Sequence, residues 1–314
     1  PDDFLLRGIK TVFEVGKPHF ANHPMMVEDL GTEYAVVSCY NSLKVGGGAH
    51  NLVRLNLKQT VEEHQGDLES YLQESLPHYV GLTLEVMEAR IRYLVEESSF
   101  FDSHFLVQEG LINLDNFSAM FGIFGLAEAV NYLLEDEYKY GHDQEANRLA
   151  YQITDTIADL VADKELPYCQ GNDGRAFFHS QSGIDLDIGV TAGTRIPIGE
   201  EPELFDHIQA VAPLHHHFGA GVSDIFHFDD NVQRNPESIV DIIKGAFKSG
   251  MRDFTFNLTD NDFIRITGYL VRKSDLEEYD NSSSRYNSTV LGAGAVQNKD
   301  ILDRKKRVVN YERN

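Results

Sequence analysis

Two cysteines, Cys39 and Cys169, are all that 314 residues contain. That is too few for a disulfide framework or a zinc site of four thiolates, and it fits a reducing compartment. Cations are scarce as well, with 27 Lys and Arg against 50 Asp and Glu and a formal net charge of −23. A nucleic-acid backbone demands local cationic density, so this balance excludes a duplex or RNA as the main ligand. The one basic run, Arg304-Lys305-Lys306-Arg307, reads as a solvated tail or a brace for acidic surface. Long apolar runs are missing too: the longest, Ala119 to Ala127, falls well short of the ~18 residues of a membrane span. No secretory pattern stands before it, and the expectation is a cytoplasmic protein without a membrane partner.

What is present is an ordinary globular composition, 42% hydrophobic and 25% charged, with enough chain for a large core. Thr32 to Ser38 is β-prone and runs into Cys39-Tyr40-Asn41-Ser42, which predicts a strand delivering a loop. Leu52 to Leu57 alternates apolar with polar and predicts a second strand. From about 67 to 164 the period turns helical: Val80, Leu84, Met87, Ile91 and Leu94 form one stripe, and Leu149, Ile153, Ile157 and Leu160 another. Beyond Pro167 strands are expected at Ile184 to Val190, Ile225 to Phe228, Phe254 to Leu258 and Ile264 to Arg272. A helix is framed by Asn235 as N-cap, Pro236 at the first helical position and Gly250 at C′, with Ile239, Ile243 and Phe247 inward. Strand, helix, strand in that order implies parallel pairing and an α/β layer or barrel. The Asp-, Asn- and Ser-rich stretch Glu277 to Ser288 reads as an exposed loop, and nothing marks an internal repeat or a domain boundary.

Three features compete for the chemistry. His215-His216-His217, with His227 and Asp229 downstream, is the first; read as a strand, it lets only His215 and His217 share a face. Its spacing matches no zinc signature, so binding or supporting a polar substrate ranks ahead of metal ligation and of pure structure. The second is Gly46-Gly47-Gly48 before Ala49-His50, where a turn between strands outranks an anion cradle because no Walker or dinucleotide spacing surrounds it. The third is Arg265-Ile266-Thr267-Gly268-Tyr269, a glycine inside an otherwise apolar and β-branched run, which predicts a bulge or a close approach to the backbone.

That third pentapeptide, close to the C-terminal end, resembles the glycyl radical signature of the pyruvate formate-lyase superfamily, Arg-Val-Ser/Thr-Gly-Tyr. The loop cysteine Cys39 upstream adds to the likeness. The segment from His215 through Asp275, with His-His-His-Phe-Gly-Ala-Gly-Val-Ser-Asp-Ile-Phe-His and Gly-Met-Arg-Asp-Phe-Thr-Phe-Asn, is similar to the YjjI-type branch of that superfamily, and the resemblance extends over nearly the whole chain. It implies a ten-stranded α/β barrel in which a radical glycine, Gly268, and a catalytic cysteine, Cys39, sit on two loops entering from opposite ends. It also implies that residues 1–314 are the C-terminal portion of one catalytic domain, because superfamily barrels place several strands before the cysteine. Residues 32–57 would then be the finger-loop region, and 254–314 the radical loop and tail. Gly268 would carry the radical because a planar Cα delocalises into both flanking amides. Cys39 would relay it as a thiyl that takes hydrogen from substrate, in homolytic chemistry to which thiolate pKa is irrelevant. Arg265, Thr267 and Tyr269 would support the radical loop, and Cys169 would lie elsewhere.

The resemblance further implies a separate S-adenosylmethionine-dependent radical activase as partner, anaerobic metabolism, and no bound metal or organic cofactor beyond the installed radical. Departures narrow the reaction. Ser38 and Tyr40 flank Cys39 where pyruvate formate-lyases carry adjacent cysteines, so formate-forming acyl transfer is not implied. Asn41 stands where diol- and choline-type members have a glutamate base, and an amide cannot abstract a proton. Two cysteines cannot build the C-terminal zinc site of anaerobic ribonucleotide reductases. What is left is C–C or C–heteroatom cleavage or rearrangement of a small polar metabolite, with Asn41, His50, His217 and His227 as candidate substrate contacts and a homodimer left open. Two alternatives stand beside it: a metal-dependent hydrolase on His215, His217, His227 and Asp229, and a non-catalytic radical-domain replacement protein.

Overall fold

The computed structural model describes residues 2–37, 41–180, 189–259, 262–266 and 269–274, without the side chains of 263–271. Eleven strands occur among them: β1 (Phe20–Ala21), β2 (Tyr34–Val36), β3 (Ser42–Lys44), β4 (Gly48–Asn56), β5 (Phe117–Phe124), β6 (Ala176–Ser180), β7 (Gly221–Val222), β8 (Ile225–Phe228), β9 (Asp253–Leu258), β10 (Phe263–Ile266) and β11 (Tyr269–Arg272). A parallel sheet runs β4-β5-β6-β7, and a second runs β1-β9-β8 with β8 and β9 parallel. Only Ser223 and Asp224 separate β7 from β8, so the chain steps directly from one sheet to the next. The step is held by side chains: Arg195 Nε donates to the Ser223 carbonyl at 2.8 Å, and Asp224 accepts from His215 at 2.9 Å. The described strands form an open array, not a closed ten-stranded barrel.

Helices cover one face of this array, as parallel crossovers require. In the helix Leu76–Arg92 the stripe Val80, Leu84, Met87 and Ile91 is buried, and Leu149, Ile153 and Ile157 of Gln144–Asp163 match it, while Leu94 and Leu160 are half-buried. They pack with Ala119, Phe121 and Ile123 of β5, Phe226 and Phe228 of β8, and Phe254 and Phe256 of β9 into one large apolar cluster. Burying a Phe, Leu or Ile side chain contributes about 1.5–3 kcal/mol, so this layer supplies most of the driving force for folding. The helix Glu237–Lys248 fits its expected frame with a shift of one: Pro236, not Asn235, is the N-cap, and Gly250 follows the C-cap Ser249 with φ +105°.

The opposite, inner face differs. It holds a small apolar cluster of Leu30, Met120, Phe177 and Ala220, with Tyr34, Leu43 and Ala49 against it. That cluster seats an antiparallel hairpin, β2–β3. Gly46 to Gly48 turn the hairpin into β4, and at Gly47 a Cβ would lie 2.2 Å from the Asn116 carbonyl oxygen. The glycine set is thus a turn whose close backbone approach admits no side chain.

Candidate functional site

Three aligned residues define the inner face at the middle of the parallel sheet: Arg54 pairs with Gly122, and Gly122 with His179. Strand alternation places Arg54 opposite the core, since Val53 and Leu55 belong to the large apolar cluster. Gly122 makes room for it, because a Cβ there would lie 2.7 Å from Arg54 Cγ. The Arg54 guanidinium rests 4.7 Å from the centroid of the Phe124 ring.

His179 is fully buried, and its Nε2 donates to Asn41 Oδ1 at 2.7 Å, while its Nδ1 has no hydrogen-bond partner among the described residues. Burial, helped by the Arg54 charge, pushes the imidazole down to about 3, so it is neutral at physiological pH. A net hydrogen bond contributes about 0.5–1.5 kcal/mol, and an unsatisfied buried polar atom costs about 1–3 kcal/mol. The pair therefore does not stabilise the fold by itself, which makes the ring's position a matter of placement.

Asn41 belongs to the end of the β2–β3 hairpin. Val37 N–H donates to the Asn41 carbonyl at 2.8 Å, Ser42 N–H to the Ala220 carbonyl at 2.9 Å, and Ser42 Oγ contacts Met26 Sδ at 3.3 Å. These bonds fix Val37, Asn41 and Ser42 on either side of three residues. Ser38, Cys39 and Tyr40 lie outside the described residues.

The run expected as a strand from Ile264 to Arg272 is two strands. β10 and β11 pair antiparallel, with Ile266 opposite Tyr269 and Arg265 opposite Leu270. Thr267 and Gly268 connect them and lie outside the described residues; Arg265 and Tyr269 are described by their backbone pairing alone. The base of this hairpin is closed by Asp262: its carbonyl accepts from Lys273 N–H at 2.8 Å, and its carboxylate from Ser274 N–H and Oγ, both at 3.0 Å.

The other candidate contacts separate. His227 sits half-buried on β8 opposite Asn257, on the polar inner face that Thr255 and Asn257 share. His50 bonds the Tyr168 carbonyl at 2.7 Å and lines a different cavity, of about 520 Å³, with Val86, Ala89 and Tyr93. Burial lowers its pKa. His217 turns outward to Asp155 at 2.6 Å, and burial, partly offset by that carboxylate, lowers it too.

The histidine run is not a strand but the end of a 3₁₀ helix, Ala212–His217, with Pro213 in its first turn. His215 is fully buried; its Nε2 donates to Asp224, and its Nδ1 accepts from Arg252 N–H at 3.0 Å. His207 Nε2 lies 3.7 Å from the other Asp224 oxygen, beyond hydrogen-bonding reach. Burial would raise the Asp224 carboxyl, but the two imidazoles outweigh it and hold it well below the usual carboxylate range. Asp229 is exposed and caps Asp230–Arg234 through Asn231 N–H. Among the described residues no group of three or more His, Cys, Asp or Glu side chains is placed to hold a metal ion, which leaves the hydrolase alternative without a metal site there. Cys169 is buried in the large cluster, which pushes its thiol up to about 12.

Sequence reasoning passed over Arg54 and His179. The one available signal was a histidine closing the otherwise apolar run Ala176-Phe177-Phe178.

The chain is 46% identical over 317 residues to the protein YjjI of Escherichia coli (strain K12) and 37% identical over 312 residues to a protein of Haemophilus influenzae. These alignments cover 99% and 97% of this chain but 61% and 60% of the relatives, so the chain spans about three-fifths of their length. Its fold is similar to a glycyl radical enzyme from Archaeoglobus fulgidus, with a TM-score of 0.69 at 12% identity, covering 98% of this chain and 52% of that one. The open array of strands therefore corresponds to part of a glycyl radical enzyme barrel. A family model described as "Glycyl radical enzyme YjjI-like" matches residues 1–307, and the chain belongs to that family.

Proposed function

We propose that this chain carries the radical machinery of a glycyl radical enzyme acting on a small polar metabolite, with Gly268 as the radical store and Cys39 as the working thiol. The observation that carries the reading is the family match over residues 1–307, which takes in both positions. Two local structures are consistent with it: the β2–β3 hairpin closes on either side of residues 38–40, and the β10–β11 hairpin closes on either side of Thr267 and Gly268.

A radical S-adenosylmethionine activase removes one hydrogen atom from the Gly268 Cα. The Gly268 radical then takes the hydrogen of the Cys39 S–H bond. The thiyl so formed takes a hydrogen atom from a substrate C–H bond, and the substrate radical undergoes C–C or C–heteroatom cleavage or rearrangement. The product radical recovers the hydrogen from Cys39, and the thiyl recovers one from Gly268, so the radical is restored. Each transfer needs positioned partners near contact. Asn41 and His227 face the substrate in this reading; Arg265, Thr267 and Tyr269 support the radical loop.

The test uses the protein with its cognate activase under anaerobic conditions. An organic radical signal is expected, and admission of air should break the chain at Gly268 and release residues 269–314, detected by mass. Gly268→Ala should give neither. Cys39→Ser should keep the signal and lose turnover. Absence of both signal and cleavage with a competent activase overturns the reading.

A further inference from the structure

We infer that His179 is a positioning residue for the β2–β3 hairpin: its Nε2–H fixes Asn41 and thereby holds the end of the hairpin that follows residues 38–40. The functional meaning of that position rests on the reading of Cys39 as the working thiol. The inference about His179 stands on geometry of its own.

Among the described residues this fully buried imidazole in the middle strand row has one hydrogen bond, and it goes to Asn41. Among the described residues its Nδ1 has no partner, so the bond to Asn41 is what there calls for an imidazole where an apolar side chain would fill the same space. The groups around it favour this one role. Gly122 lies beside it in the sheet with no side chain, and Gly221 pairs on the other side. The nearby Arg54 charge opposes protonation, so the ring keeps a single N–H and donates it in one direction. On the other flank, Ser42 N–H to the Ala220 carbonyl fixes the outgoing strand. The two anchors come from different strands, β6 and the residue before β7, so they define an orientation and not merely an attachment.

The test uses unactivated protein and needs no substrate. His179→Gln keeps an N–H donor near the Nε2 position; His179→Leu fills the space without one. The readouts are the mass-resolved alkylation rate of Cys39, with buried Cys169 as internal reference, and hydrogen exchange at the Val37 amide, which closes the hairpin on the Asn41 carbonyl. His179→Leu should raise both rates about five- to tenfold, the effect of losing one hydrogen bond, while His179→Gln stays within about twofold. Asn41→Ala cuts the same bond from the other side and should give the same increase, and adding His179→Leu to it should change nothing further. This second route holds if His179→Leu fails to fold. Equal rates in the Leu and Gln variants, additivity of the two substitutions, or loosening of β5 and β6 amides to the same degree as Val37 overturns the inference. The radical signal plays no part in these readouts, so failure of the radical reading and failure of this one are separable.

Discussion

Acidification between pH 7 and pH 5 should destabilise this protein, with His179 as a large contributor. The unfolded chain offers an imidazole of pKa about 6.5. The folded chain holds it at about 3, because burial and then the Arg54 charge oppose protonation. Between those values the unfolded state binds more protons, so stability falls as pH drops through 6.5 and goes on falling towards 3. At pH 5 the unfolded chain gains about 2 kcal/mol from protonating this one residue, and at pH 7 only about 0.2 kcal/mol. Asp224 has the opposite kind of shift, a depressed carboxyl, whose stabilisation is lost only as pH falls below the ordinary aspartate range. It therefore does not enter the window from 5 to 7. His50 and His217 shift in the same direction as His179 and add to the wild-type slope. The assay is equilibrium urea unfolding at pH 7 and pH 5, on wild type and His179→Gln. Wild type should lose more stability than the variant across that interval, by about 2 kcal/mol. Equal losses would refute the claim that His179 is buried neutral.

Two substitutions probe the framework. Gly47→Ala places a methyl 2.2 Å from the Asn116 carbonyl oxygen and should cost about 2–3 kcal/mol in urea unfolding, whereas Gly81→Ala, in the helix Leu76–Arg92 with nothing within 4 Å of its Cβ, should gain about 0.5–1 kcal/mol; the same sign for both would show the close approach to be wrong. Asp224→Ala removes the acceptor of the fully buried His215 N–H and should cost about 3 kcal/mol or more, with Asp224→Asn milder because it keeps an oxygen at that place; a melting temperature unchanged in Asp224→Ala would contradict the buried pair.

Periodicity in the sequence determined the elements whose apolar residues recur at a regular spacing. The stripes of Leu76–Arg92 and Gln144–Asp163 and the strands β8 and β9 were legible because their apolar residues repeat at 3.6 or 2.0 positions, in β9 even though all six residues are buried. β6 was not, because Ala176, Phe177 and Phe178 are apolar in succession, with helices against one face and the hairpin cluster against the other, and such a run has no alternation to read. The pentapeptide ending in Gly268-Tyr269 marked a candidate radical position by resemblance, yet only pairing of Ile266 with Tyr269 turned one apolar run into a hairpin. His215 to His217 looked like a shared face because consecutive strand residues alternate; a 3₁₀ turn after Pro213 instead sent His215 to Asp224 and His217 to Asp155. Asn41 was visible as a loop residue two places after Cys39, but its partner His179 is 138 positions away. Arg54, Gly122 and His179 become neighbours only through the register of parallel strands, and register is a property of the assembled sheet that no local run of residues encodes.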